Sequence, residues 1–155
     1  MKTPIFILAA ILMISFSASG QSGKDVPAQV KSAFSQKFPK ATNVKWGRES
    51  DKEWEAEFQN DGKSYSANFD NAGNWMETEY KISQNEIPAP VKATLDKEAS
   101  GSKIKVSEVS ETKEGKVYEF VIGKGEEKAE LVIDNAGKVI RKEQLRKEDD
   151  KDEDD

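Results

Sequence analysis

Glu53, Glu55 and Glu57 stand two apart in one short stretch, and Glu77 and Glu79 stand two apart in another. On a strand, residues at that spacing share a face and lie about 7 Å apart. Carboxylates paired in this way carry acid–base catalysis when an apolar pocket raises the pKa of one of them. Nothing in the sequence supplies such a pocket. The five glutamates therefore read as a solvated sheet face, with docking of a basic partner as the functional alternative. The chain has no cysteine and no histidine. That excludes thiol nucleophiles, disulfides, Cys/His zinc sites and histidine-based triads. The expectation is a protein with no catalytic residues, no metal site among these side chains and no cofactor.

A second cluster of oxygen-bearing side chains, Asp70-Asn71-Ala72-Gly73-Asn74, has the composition of a calcium loop. A loop of the EF type needs about twelve residues between helices, ending in a bidentate glutamate. This segment is far shorter and lies between alternating runs, so it reads as a hairpin turn. The phrase Phe69-Asp70-Asn71-Ala72-Gly73 returns as Ile133-Asp134-Asn135-Ala136-Gly137, 64 positions on. Upstream, Val26-Pro27-Ala28-Gln29-Val30-Lys31 is echoed by Ile87-Pro88-Ala89-Pro90-Val91-Lys92, 61 positions on. Two echoes in the same order imply one structural unit written twice.

The elements that position these residues follow from periodicity. Val30, Ala33, Phe34 and Phe38 form one apolar stripe of a short helix, with Pro27 in its first turn and Pro39 ending it. Four alternating runs follow: Val44 and Trp46; Trp54, Ala56 and Phe58; Tyr65, Ala67 and Phe69; and Met76, Thr78, Tyr80 and Ile82. Period-two alternation with one polar face means antiparallel strands with one side on a core. The second copy is looser. Val91, Leu95 and Ala99 replace Val30, Phe34 and Phe38 on a weaker helix, and the matching strands carry Ile104 and Val106, then Tyr118, Phe120 and Ile122, then Ala129, Leu131 and Ile133. A last strand spans 139–145. The fold class is therefore α+β, two tandem units at 26–82 and 87–145, each a helix packed on a four-stranded antiparallel sheet, joined by a linker at 83–86.

The second copy also carries apolar residues on its outward face: Val117, Val121, Val132 and Val139. Trp75 of the first copy projects outward by the same alternation, unless a bulge after Gly73 reverses it. Together with Glu77, these residues are the candidate partner-binding surface, since apolar patches rimmed with charge often mark interfaces. The competing reading is that the other unit, or a second copy of the chain in a homodimer, covers this face. Trp46, Trp54, Tyr65 and Phe69 point toward the helix and read as core.

The ends carry an address and a tail. Lys2, an apolar run over 5–16 and the small residues Ala18-Ser19-Gly20 read as a signal peptide over 1–20, with cleavage before Gln21 and a polar leader over 21–25. The apolar run is shorter than the roughly 20 residues of a membrane span, and no cysteine follows it for lipid anchoring. The expected location is the periplasm or outside the cell, without stable membrane insertion. Residues 148–155 hold seven acidic residues and one lysine, so 146–155 read as a disordered acidic tail. With a net charge of −5 the chain is not a nucleic-acid binder.

One pattern extends through the first copy: Pro27-x-x-Val30-x-x-x-Phe34-x-x-x-Phe38-Pro39-x-Ala41-x-x-Val44-x-Trp46, then Trp54-Glu55-Ala56-Glu57-Phe58, Gly62-Lys63-x-Tyr65 and Phe69-Asp70-x-x-Gly73-Asn74-Trp75. It resembles the PepSY-like family described as beta-lactamase-inhibitor-like. The match is specific across 26–82 and fainter across 87–145, where Trp46, Phe38 and Pro39 have no counterparts. The resemblance implies small exported bacterial proteins with a helix on an antiparallel sheet and no known catalytic residues. Inhibitors of beta-lactamase with this architecture bind through the sheet face away from the helices. No residue motif of theirs falls on this sequence, so inhibition carries over as a fold-level analogy. The expectation is an exported, non-catalytic protein-binding module. The alternative is a calcium- or ligand-binding envelope protein that uses the acidic tail and acidic face.

Overall fold

The computed structural model describes residues 25–145; the expected signal peptide, most of the expected leader and the expected tail over 146–155 lie outside the described residues. Helix α1 (Ala28–Lys37) leads into β1 (Thr42–Ser50), β2 (Glu53–Asn60), β3 (Lys63–Asp70) and β4 (Trp75–Lys81). A single 3-10 turn (Gln84–Glu86) precedes α2 (Ala89–Glu98), β5 (Lys103–Thr112), β6 (Gly115–Lys124), β7 (Glu127–Asp134) and β8 (Val139–Leu145). The fold is α+β, with two helices and an eight-stranded antiparallel sheet whose strands run in sequence order. The chain divides into two compact units. One holds the residues up to Lys81 with Val109–Lys116, the other Ile82–Glu108 with the residues from Val117 on. The far end of the β5–β6 hairpin thus belongs with α1 and β1–β4.

In the first unit the Pro27 carbonyl accepts the amides of Val30 and Lys31, and the Phe38 amide closes the last turn on Phe34. Pro39 takes the chain out of the helix, as expected. The buried stripe is Val30 and Phe34, set against Trp54, Ala56, Phe58, Ala67 and Phe69 of the sheet. Phe34 is the hub. Its ring centroid lies 5.1 Å from Phe58, 5.3 Å from Trp46 and 5.4 Å from Phe38. Edge and tilted contacts of this kind add to the burial of large apolar area.

In the second unit α2 buries Val91 and Leu95, and β6 and β7 bury Tyr118, Phe120, Ile122, Ala129, Leu131 and Ile133. The register pairs Tyr118 with Ile133, Phe120 with Leu131 and Ile122 with Ala129. Although the sequence predicts a weaker helix here, α2 is as long as α1, ten residues each. Packing of its apolar stripe decides helix formation more than propensity does.

The two recurring phrases adopt the same turn. Asp70 Oδ1 accepts the amides of Ala72 (2.9 Å) and Asn74 (2.8 Å), and Asp134 Oδ1 those of Ala136 and Lys138, both at 2.9 Å. The glycine that follows has φ +86° in each copy, and a Cβ there would stand 2.8 Å from the Gln29 carbonyl oxygen or 2.6 Å from that of Pro90. Each phrase is therefore a seat for the start of its helix as well as a reversal of the chain. The turns at Gly62, Gly115 and Gly125 differ, having nothing within 4 Å of where a Cβ would be.

One part of the strand pattern is reversed. In β3–β4 the register runs Ala67 to Thr78 and Asn68 to Glu77, then shifts so that Phe69 faces Trp75. Met76 is the extra residue of this bulge and is 43% exposed. In β7–β8 the register shifts in the same way: Val132 faces Arg141, Ile133 faces Val139, and Ile140 is the extra residue, 44% exposed. A bulge inserts one residue and so flips the side chains beyond it. Trp75 and Val139 consequently lie on the helix face, and Met76 leaves the inward set to which plain alternation assigns it.

Candidate functional site

In the first unit, the register assembles the face turned away from α1. Glu55 stands opposite Asn68, which stands opposite Glu77; Glu57 stands opposite Ser66, which stands opposite Glu79. From β1, Gly47 lies beside Glu55 and Lys45 beside Glu57. The five glutamates of the sequence reading are therefore brought onto one face. All are intermediate in burial, as expected where closely spaced side chains screen one another from water.

Their electrostatics follow from that crowding. Burial, joined by the like charges of Glu49, Glu57 and Glu53, pushes the Glu55 carboxyl up to about 7, against the opposing hydrogen bond from Ser66. Glu77 is also raised, first by burial and further by Glu53, although the Ser110 hydroxyl donates to its Oε1 and opposes the shift. Asn68 Nδ2 donates to Glu53 Oε1 at 2.9 Å. Ser66 and Asn68 join this face through the polar alternation of β3, where the strand pattern puts them. Ser110 is the member that the sequence reading missed, and it has no such signal.

Trp75 belongs elsewhere. Its indole packs at the margin of the α1 core, its Nε1 donates to Thr78 Oγ1 at 2.9 Å, and the Lys37 ammonium sits 3.5 Å from its ring centroid. These contacts make Trp75 part of the helix–sheet packing. Val139, half-buried opposite Ile133, occupies the corresponding place in the second unit.

Val117, Val121 and Val132 do point away from α2, as the alternation requires, but they are 8%, 6% and 1% exposed. Val132 faces Glu119, with Val117 and Val121 on its diagonals, so the three pack together across β6 and β7. Glu119 and Glu130 of the same face are buried as well. Arg141 Nη2 meets Glu130 Oε2 at 2.6 Å. Burial raises the Glu130 carboxyl and Glu143 adds to this, while the Arg141 guanidinium opposes it. The apolar patch expected at the surface is thus a buried layer that includes an ion pair.

The Asp70 turn also has its chemistry fixed internally. Hydrogen bonds from the Asn74 side chain and from the backbone amides of Asn74, Ala72 and Gly73 hold the Asp70 carboxyl below its ordinary value. Asn71 Oδ1 accepts the Trp54 indole at 2.8 Å, and Gln29 Nε2 donates to the Asn71 carbonyl at 2.9 Å. The oxygens that resembled a calcium loop are acceptors for the fold itself. Among the described residues no group of three or more acidic side chains is placed to hold a metal ion, and no helix is long and apolar enough to cross a membrane.

The two helices and the antiparallel sheet with its polar outward face define a small α+β protein class. The family model described as "Putative beta-lactamase-inhibitor-like, PepSY-like" matches residues 13–65 and 52–141. The chain belongs to this family. Among solved structures, a BLIP-like protein from Bacteroides fragilis superimposes with a TM-score of 0.72 at 20% identity, over 80% of this chain and 89% of that one. A DUF2874 family protein from Bacteroides uniformis gives 0.71 at 20% identity, over 76% and 88%. A protein from Bacteroides eggerthii described as "putative periplasmic" gives 0.72 at 19% identity, over 77% and 89%. At these identities the likeness is one of fold. No curated protein matches the chain.

Proposed function

We propose that the chain is an exported, non-catalytic protein built from one structural unit written twice. It binds a protein partner, an enzyme of the envelope or of the surrounding medium that it inhibits, through the sheet face turned away from the helices. The observation that carries this reading is the outward face of the first unit, where Glu53, Glu55, Glu57, Glu77 and Glu79 are gathered by strand register on the side opposite the α1 core. Crowding like charges there brings the fold no core contact and raises two of the carboxyls. Such a face is suited to a partner rich in Lys and Arg.

The family supports the non-catalytic reading, and a similar fold described as periplasmic supports export. The calcium-binding alternative draws no support from the described residues. The test is affinity capture of envelope proteins on the full chain, beside Glu57→Lys/Glu79→Lys and a chain ending at Lys147. A partner held by the wild type and the shortened chain but lost by the charge reversal is the expected result. A partner held equally by the charge reversal overturns the face, and one lost with the tail moves binding to residues 148–155.

A further inference from the structure

We propose that Glu55, at the centre of the carboxylate row on the outward face of β2 and β4, is a proton-operated charge switch, gaining its negative charge as its surroundings pass from mildly acidic to mildly alkaline. The inference rests on the free protein and holds whatever partner the face takes.

The geometry places Glu55 at the centre of the row. Glu53 and Glu57 flank it on its own strand, about 7 Å away on either side. Its carboxylate lies over Gly47 of β1, with Oε2 3.9 Å from where a Cβ would stand, so the residue opposite offers no side chain to answer its charge. On the other side stands neutral Asn68, whose amide nitrogen is given to Glu53. One strand further on is Glu77, paired with the hydroxyl of Ser110.

The groups facing the row from each element confirm the imbalance. Strand β1 supplies Lys45 and Glu49, and β2 supplies Glu53 and Glu57. Strand β3 supplies Ser64, Ser66 and Asn68, with Asp70 opposite Glu53, and β4 supplies Glu77 and Glu79. The 109–116 segment adds Ser110, while its Lys116 is engaged with Glu111 at 3.4 Å and with the Tyr80 hydroxyl. Arg48 of β1 is directed to the opposite face, beside the Trp54 ring. Carboxylates outnumber cations on this half-buried surface, so the ionisation of Glu55 is opposed by its burial and by its neighbours' charges. Ser66 stabilises the ionised form of Glu55 and keeps the transition within the neutral range. A cationic surface would be held more tightly above that transition than below it.

The test is a carbon-13 NMR titration of the glutamate carboxyls in the full chain from pH 4 to 9. Glu55, assigned by its loss in Glu55→Gln, is expected to titrate near about 7. Glu49→Gln and Glu57→Gln lower that midpoint, and Ser66→Ala raises it. A Glu55 midpoint in the ordinary carboxylate range overturns the proposal. So does a midpoint that none of the three neighbouring substitutions moves.

Discussion

The outward faces of the two units start from the same strand positions and arrive at opposite solutions. At the 64-residue offset, Glu53, Glu55 and Glu57 correspond to Val117, Glu119 and Val121; Ser66 and Asn68 to Glu130 and Val132; and Glu77 to Arg141. In the first unit the face is carboxylate-rich and half-buried, and in the second it is a buried valine layer with a Glu130–Arg141 pair. The inward faces stayed alike. Phe34 and Leu95 occupy the same place on their helices, and the two Asp-Asn-Ala-Gly turns make the same hydrogen bonds. A helix, its sheet and the turn that seats it constrain one another, whereas the far side of the sheet is constrained only by what will meet it.

The inward likeness can be measured first. Phe34→Ala removes a ring in contact with four other aromatic rings and is expected to cost about 4 kcal/mol in urea unfolding. Leu95→Ala is expected to cost about 3 kcal/mol. A cost under about 1 kcal/mol for either would break the equivalence of the two helices.

The outward contrast comes next. Arg141→Met leaves the buried Glu130 carboxylate without its cation, at an expected cost of about 3 kcal/mol at pH 8. The cost should shrink at pH 5. A carboxyl whose folded pKa lies above its unfolded value stabilises the fold below the unfolded pKa and loses that contribution as pH rises through the folded one. An Arg141→Met penalty that is the same at both pH values would show that Glu130 is not what the arginine answers.

The smallest effect is expected at Glu55. Burial and neighbouring carboxylates push its carboxyl from 4.5 up to about 7 in the folded chain, so the protein is expected to lose stability as pH rises through that range. Glu55→Gln should therefore leave the melting temperature unchanged at pH 4 and raise it by a few degrees at pH 8. That corresponds to about 1 kcal/mol once solvent screening of a half-exposed group is allowed for. A drop at pH 8 would mean that the carboxylate supports the fold and is not a strained member of the row.

Much of this was legible in the chain. Alternation located all eight strands, and the stripe Val30–Phe34 and its echo Val91–Leu95 located both buried helix faces. The five glutamates emerged on one side of the sheet because β2 and β3 pair without a shift and β3 and β4 stay in register from Ser66 opposite Glu79 to Asn68 opposite Glu77. What failed did so for local reasons. Period-two reading assumes an unbroken register, and a single extra residue at Met76 or Ile140 turned Trp75 and Val139 to the helix side. Polarity also misled: the charge rimming the second copy's valines read as the mark of an exposed face, yet Glu119 and Glu130 beside them are buried. The Glu130 charge could be buried because Arg141 lies on the diagonal from it, a relation that exists only once β7 and β8 are paired. The attachment of 109–116 to the first unit crosses the boundary that the echoes suggest.

The open turns at Gly62, in the first unit, and Gly125, in the second, have a practical consequence. Each tip has open space around it, which the Gly73 and Gly137 turns, pressed against helix carbonyls, lack. Because the chain has no cysteine, a thiol introduced beside each tip would be unique to it. A donor and acceptor dye attached there would turn the protein into its own ruler, reporting by energy transfer whether the two units keep a fixed spacing when a partner is captured.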